Sequence, residues 1–346
     1  MLLFNLLWLI SFAASHPSHS KPCPHISGNI NIDEYQLYPE NEFFDPKTCL
    51  LYFGVLFNSS VSVYDPYKRR IVDNFTFPNI TLNPNHHVAG IAVDPSTRLL
   101  GVTVNDRIVL QTLGKEAPSL NYFLLYDQKK RQVKNSFNIN AVTKGKVIGI
   151  QDLDYDKRGH EYVLGSYPSS IVRIDPSGRR STAWYVAEPF AETHLKYGFG
   201  GIQIIGDVVL VNDNTIGGFK RFDALSSIGS PTVVPFTPNA SIEWSDAIFA
   251  PPRYHGTVLV VAENYKGISV MRSHDGWKTA DYMGLITASE VDIPSDALTV
   301  ATVQIGQSLY AVPEFFFDAP VAPWNAGNRT QYTLYDITAK VETLLC

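Results

Sequence analysis

Short runs of β-branched and aromatic residues alternate with polar turns along most of the chain. Residues 41–66 show the pattern: an apolar run at 49–57 lies between the turns Asp45-Pro46 and Asp65-Pro66, and the run 61–64 precedes the second turn. Proline cannot donate to a strand ladder and presets φ for a turn, while Asp bonds to its own backbone there. The stretch therefore predicts three strands of a four-stranded antiparallel meander.

The same arrangement recurs six times along the chain. The units begin near Glu40, Val88, Ile150, Phe199, Trp244 and Pro294, about 45 to 60 residues apart. Second strands are predicted at 50–57, 99–104, 161–165, 207–212, 257–262 and 308–312. Third strands are predicted at 61–64, 122–126, 171–174, 218–222, 267–272 and 332–336. The only helical prediction is a single turn at 224–227.

Repeats of this length made of short strands are typical of a propeller. We therefore predict an all-β fold, a six-bladed β-propeller with four-stranded antiparallel blades around a central channel. Residues 21–346 would form a single domain closed by its two ends. The alternative, a pair of β-sandwiches, needs a linker that the loops do not provide.

Composition agrees with this fold and narrows the function. The chain is 45% hydrophobic and 12% aromatic and contains 22 prolines, which favours a folded all-β protein. Its formal net charge is −5, so there is no electrostatic footprint for nucleic acid.

The N-terminus and the sequons predict a secretory route. Residues 1–14 are mostly apolar and end in small residues, so we interpret residues 1–20 as a signal peptide. No later run reaches 18 apolar residues, and no membrane anchor is expected. Glycosylation is predicted at five sequons, those of Asn58, Asn74, Asn79, Asn239 and Asn328. The expected location is secreted or in the secretory-pathway lumen.

The chain has three cysteines, Cys23, Cys49 and Cys346. Cys49 lies within a predicted strand, where a buried thiol behaves as a small hydrophobic residue. Both ends of a ring-shaped fold meet, so we predict a Cys23–Cys346 disulfide. Two free or mispaired thiols are the alternative.

The predicted connectivity places the Asp-Pro turns on one face, which we interpret as structural. The starts of the inner strands and the longer loops, above all 313–328, share the opposite face, where function is expected. Around the channel mouth this arrangement places Glu40, His87, Gln151, Asp246 and Asp296. Such residues either hold Ca²⁺ through oxygen ligands or satisfy strand ends and buried water. The sequence contains no Gly-x-Ser-x-Gly and no His-x-x-x-His motif.

Three stretches carry a family resemblance: Glu42-Phe-Phe-Asp-Pro-Lys-Thr-Cys-Leu-Leu-Tyr-Phe-Gly, Asn58-Ser-Ser-Val-Ser-Val-Tyr-Asp-Pro and His87-Val-Ala-Gly-Ile-Ala-Val-Asp-Pro. They are similar to secreted fungal propellers of secondary-metabolite clusters. That group includes a trichothecene-cluster protein and the hetero-Diels–Alderases that join tropolone and humulene units. These motifs are structural, so they specify the family better than the reaction.

The resemblance implies a cofactor-independent and metal-independent pericyclase that binds apolar or aromatic small molecules. His87 and Gln151 would donate hydrogen bonds to a tropolone o-quinone methide, with Glu40 or Asp246 as the acid–base group. The implied substrate-binding residues are Tyr167, Trp244, Asp296, Phe315, Phe317 and Trp324. Blade packing is the alternative role for residues 315–317.

Two other classes remain open. One is a metal-dependent lactonase of the gluconolactonase type, in which Glu40 would match a metal ligand. The other is a propeller that binds a secondary metabolite without catalysis.

Overall fold

Antiparallel sheets arranged in a closed ring make up the protein, and each sheet is one blade. The computed structural model describes residues 22–116, 120–189, 196–322 and 325–346. Blade 1 contains β2 (Pro39–Asp45), β3 (Leu50–Val55), β4 (Ser60–Asp65) and β5 (Arg70–Phe75). Blade 2 contains β6 (His86–Val93), β7 (Leu100–Asp106), β8 (Tyr122–Asp127) and β9 (Gln132–Asn138). Blade 3 contains β10 (Gly149–Tyr155), β11 (Glu161–Tyr167), β12 (Ser169–Ile174) and β13 (Ser181–Val186).

The second half of the ring repeats this order. Blade 4 contains β14 (Phe199–Ile205), β15 (Val208–Asp213), β16 (Gly218–Asp223) and β17 (Thr232–Val234). Blade 5 contains β19 (Ser245–Phe249), β20 (Val258–Glu263), β21 (Gly267–Arg272) and β22 (Ala280–Thr287), with the short β18 (Phe236–Thr237) parallel to β22. Blade 6 contains β23 (Leu298–Ile305), β24 (Ser308–Glu314), β25 (Gln331–Asp336) and β1 (Ile30–Asp33). The predicted six-bladed propeller is confirmed.

The ring closes through the first strand of the chain. β1 pairs antiparallel with β25, with Ile30 opposite Leu334, and so forms the outer strand of the last blade. Each inner strand packs against the next, and β23 of blade 6 packs against β2 of blade 1. Apolar side chains fill the spaces between blades, as where Leu210 of blade 4 meets Leu259 of blade 5. Burial on both faces of the middle strands explains their nearly continuous apolar runs.

Helices are few among the described residues and lie outside the blades. They are the α-helices Ile108–Thr112, Ile139–Val142 and Thr338–Leu345 and the 3₁₀ helices Pro252–Tyr254 and Ala288–Val291. The helical turn predicted at 224–227 is wrong, because this segment forms a turn and bend after β16. Within the part of the chain that the structure describes, no helix has the length and apolarity of a membrane span. The predicted signal peptide, residues 1–20, lies outside that part.

The disulfide joins Cys23 to Cys49, with their Cα atoms 5.6 Å apart, and Cys346 is free and exposed. The predicted Cys23–Cys346 bond is therefore wrong. The two ends do meet in blade 6, but through β1 and β25 and not through the cysteines. Cys23 lies before β1, beside the β2–β3 turn that holds Cys49, whereas Cys346 ends a helix that packs against β22 of blade 5.

Candidate functional site

All six inner strands have an irregular register close to their start. The unpaired positions are residue 40 in blade 1, 89–90 in blade 2, 151–152 in blade 3, 200–201 in blade 4, 246–247 in blade 5 and 300 in blade 6. A bulge adds a residue to one strand, bends it and redirects its side chains. The repeated bulge brings polar residues from several blades together at one level of the channel.

Glycines leave room at this level in blades 2 and 4. A Cβ on Gly90 would lie 2.6 Å from the Cα of Asp152, and a Cβ on Gly200 would lie 2.2 Å from the carbonyl oxygen of Ser245. Neither space accepts a side chain, since real Cβ atoms do not approach backbone atoms so closely. Side chains of blades 1, 3 and 5 can therefore meet directly.

Two hydrogen bonds cross the channel there. Asn41 Nδ2 donates to Asp152 Oδ1 at 3.0 Å, and Gln151 Nε2 donates to Asp246 Oδ1 at 2.7 Å. The first joins blade 1 to blade 3 and the second joins blade 3 to blade 5. We call Glu40, Asn41, Gln151, Asp152 and Asp246 the channel ring.

Polar residues of the second strands, or of the loops that follow them, bond to the backbone near the start of the next blade's inner strand. The bonds are Ser59 Oγ to His86 O at 2.7 Å, Ser166 Oγ to Phe199 O at 2.7 Å, Asn212 Nδ2 to Asp246 O at 2.9 Å and Asn264 Nδ2 to Thr299 O at 3.2 Å. Between blades 2 and 3, Asn105 Oδ1 accepts from the Ile150 amide at 2.8 Å. These bonds join neighbouring blades, so the role of these residues is structural.

Below the channel ring lies a cavity of about 590 Å³. Its walls are mainly apolar and include Phe43, Phe44, Ile91, Val93, Leu153, Tyr155, Ile248, Phe249 and Val303. Its mouth lies among the β2–β3, β6–β7 and β23–β24 turns, next to Pro22 and Cys23. The sequence interpretation treated this turn face as structural and expected the ligand on the opposite face.

Four carboxyl residues line the cavity. Asp45 pairs with Arg98 at the mouth, and the other three are Glu42, Asp152 and Asp154. Asp152 accepts backbone hydrogen bonds from Leu153 at 2.8 Å and Ile202 at 3.0 Å, yet burial raises its pKa to about 7. Burial likewise raises the pKa of Asp154 to about 7, although its Oδ2 accepts from Gln203 at 2.7 Å. Charge is disfavoured in this low-dielectric space even where donors are present.

Glu42 is the least satisfied of the three. Its side chain lines the cavity, and its Oε2 has no hydrogen-bond partner among the described residues. Burial, followed by the neighbouring charge of Asp152, raises its pKa well above the usual value. A neutral Glu42 carboxyl can therefore donate one hydrogen bond to a ligand.

The structure brings together three of the four predicted catalytic residues, Glu40, Gln151 and Asp246. Burial raises the pKa of Asp246 to about 6, while burial and the nearby Asp246 raise the pKa of Glu40 well above its usual value. At neutral pH a group with the pKa of Asp246 is mostly ionised, and the charged form of Glu40 beside it is disfavoured. Each of the three residues lies one position before a residue that lines the cavity, namely Asn41, Asp152 or Ala247.

His87, the fourth predicted catalytic residue, is buried with its ring edge against Phe57 at 5.4 Å between centroids. Neither ring nitrogen has a partner within the described ranges. Burial, followed by Arg107 and His86, lowers its pKa to about 3, so the imidazole is neutral.

Tyr167 and Trp244, two predicted substrate-binding residues, flank Tyr197 on the face where the inner strands begin. The Tyr197 ring centroid lies 5.8 Å from that of Tyr167 and 5.8 Å from that of Trp244. Its hydroxyl donates to Ser245 O at 3.1 Å. Sequence reasoning missed Tyr197 because it lies in the connection between blades 3 and 4, outside every predicted strand.

Three more predicted substrate-binding residues, Phe315, Phe317 and Asp296, do not line the cavity. Phe315 is buried in blade 6 with the Arg329 guanidinium 3.4 Å above its ring centroid. Phe317 is exposed, and within the described residues its only aromatic contact is an edge contact with Phe316. Asp296 is exposed and lies 3.3 Å from Arg329. Trp324 lies outside the described residues. The roles assigned to all four stay predictions.

Of the five predicted glycosylation sites, Asn74, Asn79, Asn239 and Asn328 are exposed and Asn58 is partly buried. Modification at these sites stays a prediction. Across the described ranges, no three His, Cys, Asp or Glu side chains are arranged to hold a metal ion.

The chain is similar to known fungal proteins along most of its length. No family model matches the chain. It is 30% identical over 343 residues to trichothecene biosynthesis protein 14 of Trichoderma arundinaceum, covering 94% of this chain and 92% of that protein. It is also 30% identical over 340 residues to core trichothecene cluster protein 14 of Fusarium sporotrichioides, covering 93% of this chain and 88% of that protein. The chain belongs to the trichothecene cluster protein 14 family.

Membership of the trichothecene cluster protein 14 family confirms the predicted resemblance to a trichothecene-cluster protein. Solved structures of other proteins share its fold. The allergen Mala s 1 of Malassezia sympodialis superposes with a TM-score of 0.74 at 18% identity, over 90% of this chain and 96% of the allergen. A luciferin-regenerating enzyme superposes with a TM-score of 0.54 at 12% identity, over 89% of this chain and 95% of that one. These two similarities concern the fold alone.

Proposed function

We propose that this protein is a hetero-Diels–Alderase that joins a tropolone o-quinone methide to a humulene-type alkene. One observation carries the proposal: a mainly apolar cavity is lined by buried carboxyl groups whose pKa values are raised by burial. The names of the trichothecene relatives support a role in fungal secondary metabolism. The sequons and the Cys23–Cys49 disulfide support a secreted or lumenal location.

The cavity suits two apolar reactants. Its volume of about 590 Å³ falls within the range of small-molecule sites, and its walls are mainly apolar. A cycloaddition forms one C–C and one C–O bond and loses no atom, so it needs no nucleophile. Holding the diene and the alkene in contact, away from water, can supply about 7–11 kcal/mol of the barrier in favourable cases.

Glu42 provides the electronic contribution to catalysis of the cycloaddition. A hydrogen bond from its neutral carboxyl to the o-quinone methide oxygen draws electron density from the diene and stabilises the negative charge that develops on oxygen. Asp152, held by Asn41 at 3.0 Å, lies beside it as a second group that is protonated at mildly acidic pH. The channel ring then acts behind the cavity by fixing Asp152.

The test is incubation of the purified protein with an o-quinone-methide precursor and humulenol. We expect a faster reaction, one dominant stereoisomer and no effect of a chelator. Glu42→Gln should lower the rate by about 10-fold or more, because the amide is a weaker donor. The exposed Glu243→Gln serves as the matched control. A product mixture equal to the uncatalysed one would remove the catalytic claim.

A non-catalytic carrier is the second candidate, and the same cavity favours it. It predicts saturable binding of the alkene or the adduct with no change in rate. A metal-dependent lactonase would instead lose activity with a chelator and regain it with Ca²⁺ or Zn²⁺.

A further inference from the structure

Among the residues that line the cavity, none supplies a cationic partner for the three carboxyl groups of Glu42, Asp152 and Asp154. The lining includes two cationic side chains, and both are engaged at the mouth. Lys47 Nζ donates to Pro95 O at 2.6 Å, and the Arg98 guanidinium pairs with Asp45. Within the described residues, the Glu42 carboxyl therefore has no positive partner, and its Oε2 has no donor.

Glu42 is also deeply placed, with only 9% of its surface exposed. Leaving a carboxyl oxygen buried and without a partner is unfavourable. Such groups in native proteins call for an explanation, and one explanation is an occupant that supplies the missing hydrogen bond. The residue Glu42 lines the cavity in which such an occupant would lie.

The walls around these carboxyls are suited to a cation that carries apolar groups. Phe43, Phe44, Tyr155 and Phe249 line the same space. Aromatic faces attract an ammonium ion through the ring quadrupole, and the attraction is stronger where water is excluded. The aliphatic lining, with Leu153 and Ile248, would bury the substituents of such an ion.

We propose that this cavity binds a lipophilic ammonium ion, a protonated secondary amine with apolar substituents, whose two N–H groups bond to Glu42 and Asp152. The ammonium supplies the positive charge that the cavity lacks and the donor that Glu42 Oε2 lacks. When the bound ion arrives, the protonated carboxyl gives up its proton to solvent and becomes the counter-ion. This ligand class is distinct from the uncharged reactants of the proposed cycloaddition.

Dibenzylamine and dibenzyl ether form a matched pair of probes, since they have nearly the same shape and only the amine becomes an ammonium ion. Calorimetry of the intact protein near pH 6.5 should show the amine binding at least about 10-fold tighter than the ether, or about 1.4 kcal/mol. Measurements in buffers of different ionisation enthalpy should show proton release on amine binding. Equal affinity for the two probes, or no binding of the amine, would overturn the proposal.

Glu42→Gln and Asp152→Asn identify the residues responsible. Each should remove the preference for the amine while leaving the affinity for the ether unchanged, and thermal unfolding of each variant checks its fold. Glu243→Gln, on the exposed surface, should keep the preference. A preference that survives in both cavity variants would refute the assignment. If the protein accelerates the cycloaddition but binds the amine no more tightly than the ether, this inference is refuted and the proposed cycloaddition is not.

Discussion

Gln151 of blade 3 donates a hydrogen bond to Asp246 of blade 5 across the start of blade 4, over 2.7 Å. Asp246 also accepts from Asn264 Nδ2 at 2.9 Å, so each of its two oxygens has a donor. Gln151 thereby links alternate blades and holds the charged member of the channel ring in place.

Gln151→Ala removes the donor and leaves Asp246 buried with one oxygen unsatisfied. We expect the free energy of unfolding to fall by about 1–3 kcal/mol, as is usual when a buried polar group loses its partner. Equilibrium urea denaturation measures the change. Gln132→Ala, at an exposed position of an outer strand, should change it by about 0.5 kcal/mol or less. Equal effects of the two substitutions would contradict the role given to Gln151.

Gly90 has no space for a side chain, because an added Cβ would lie 2.6 Å from the Cα of Asp152. Gly90→Ala should therefore push blades 2 and 3 apart and cost about 3 kcal/mol, at the upper end of overpacking effects. Gly145 is the matched control. It has φ +75° and nothing within 4 Å of an added Cβ, so its change to Ala involves backbone strain of only about 1–2 kcal/mol. If Gly145→Ala is the more costly change, close packing is not what selects glycine at position 90.

Stability should fall as pH rises from mildly acidic to neutral values. Burial raises the pKa of Asp152 from 3.8 to about 7 and that of Asp246 from 3.8 to about 6. Between the unfolded pKa of 3.8 and the raised folded pKa of each group, the folded protein keeps a proton that the unfolded chain has released. Raising the pH therefore favours the unfolded chain until the folded pKa is passed. Glu161, raised from 4.5 to about 9, extends the same trend to higher pH.

Urea midpoints measured between about pH 4.5 and 8.5 test this trend. Asp152→Asn should flatten the decline over the window from about 4 to about 7, because its share of the proton linkage is gone. Asp281→Asn, at the exposed second position of β22, should leave the slope unchanged. A midpoint that rises over this window would show that the buried carboxyls are not protonated in the folded protein.

The disulfide makes a separate prediction. Cys23 and Cys49 are separated by 26 residues, and a crosslink closing a loop of that length contributes about 3 kcal/mol. Cys49→Ser should lower the unfolding free energy by about that amount, whereas Cys346→Ser should not change it. A non-reduced digest should yield one peptide pair joining residues 23 and 49. Recovery of a pair containing residue 346 would contradict the structure.

The repeat of apolar runs and turns was enough to predict the fold, since every blade obeys the same local rule. The six predicted second strands and the six predicted third strands all overlap observed strands. The third strand predicted at 267–272, for example, is observed as Gly267–Arg272. The bulges were invisible in the sequence because they depend on how neighbouring inner strands fit. Gly90 and Gly200 acquire meaning only from backbone atoms that lie in another blade.

The candidate site was predictable in part. Glu40, Gln151 and Asp246 were placed together because strand starts share one end of the channel. Glu42 was missed, because its motif Glu-Phe-Phe-Asp-Pro looked like a turn signal and not like part of a cavity. The disulfide was assigned to the wrong cysteine because the position of residue 23 depends on where the chain runs before β1.

The pairing of β1 with β25 also constrains how the protein can be made. A polypeptide leaves the ribosome from its N-terminus, so Ile30–Asp33 must wait, unpaired, until Gln331–Asp336 has been synthesised. The sixth blade is therefore assembled last, from opposite ends of the newly made chain. A nascent protein halted before residue 331 would present an open sheet edge, and such edges recruit strands from other molecules.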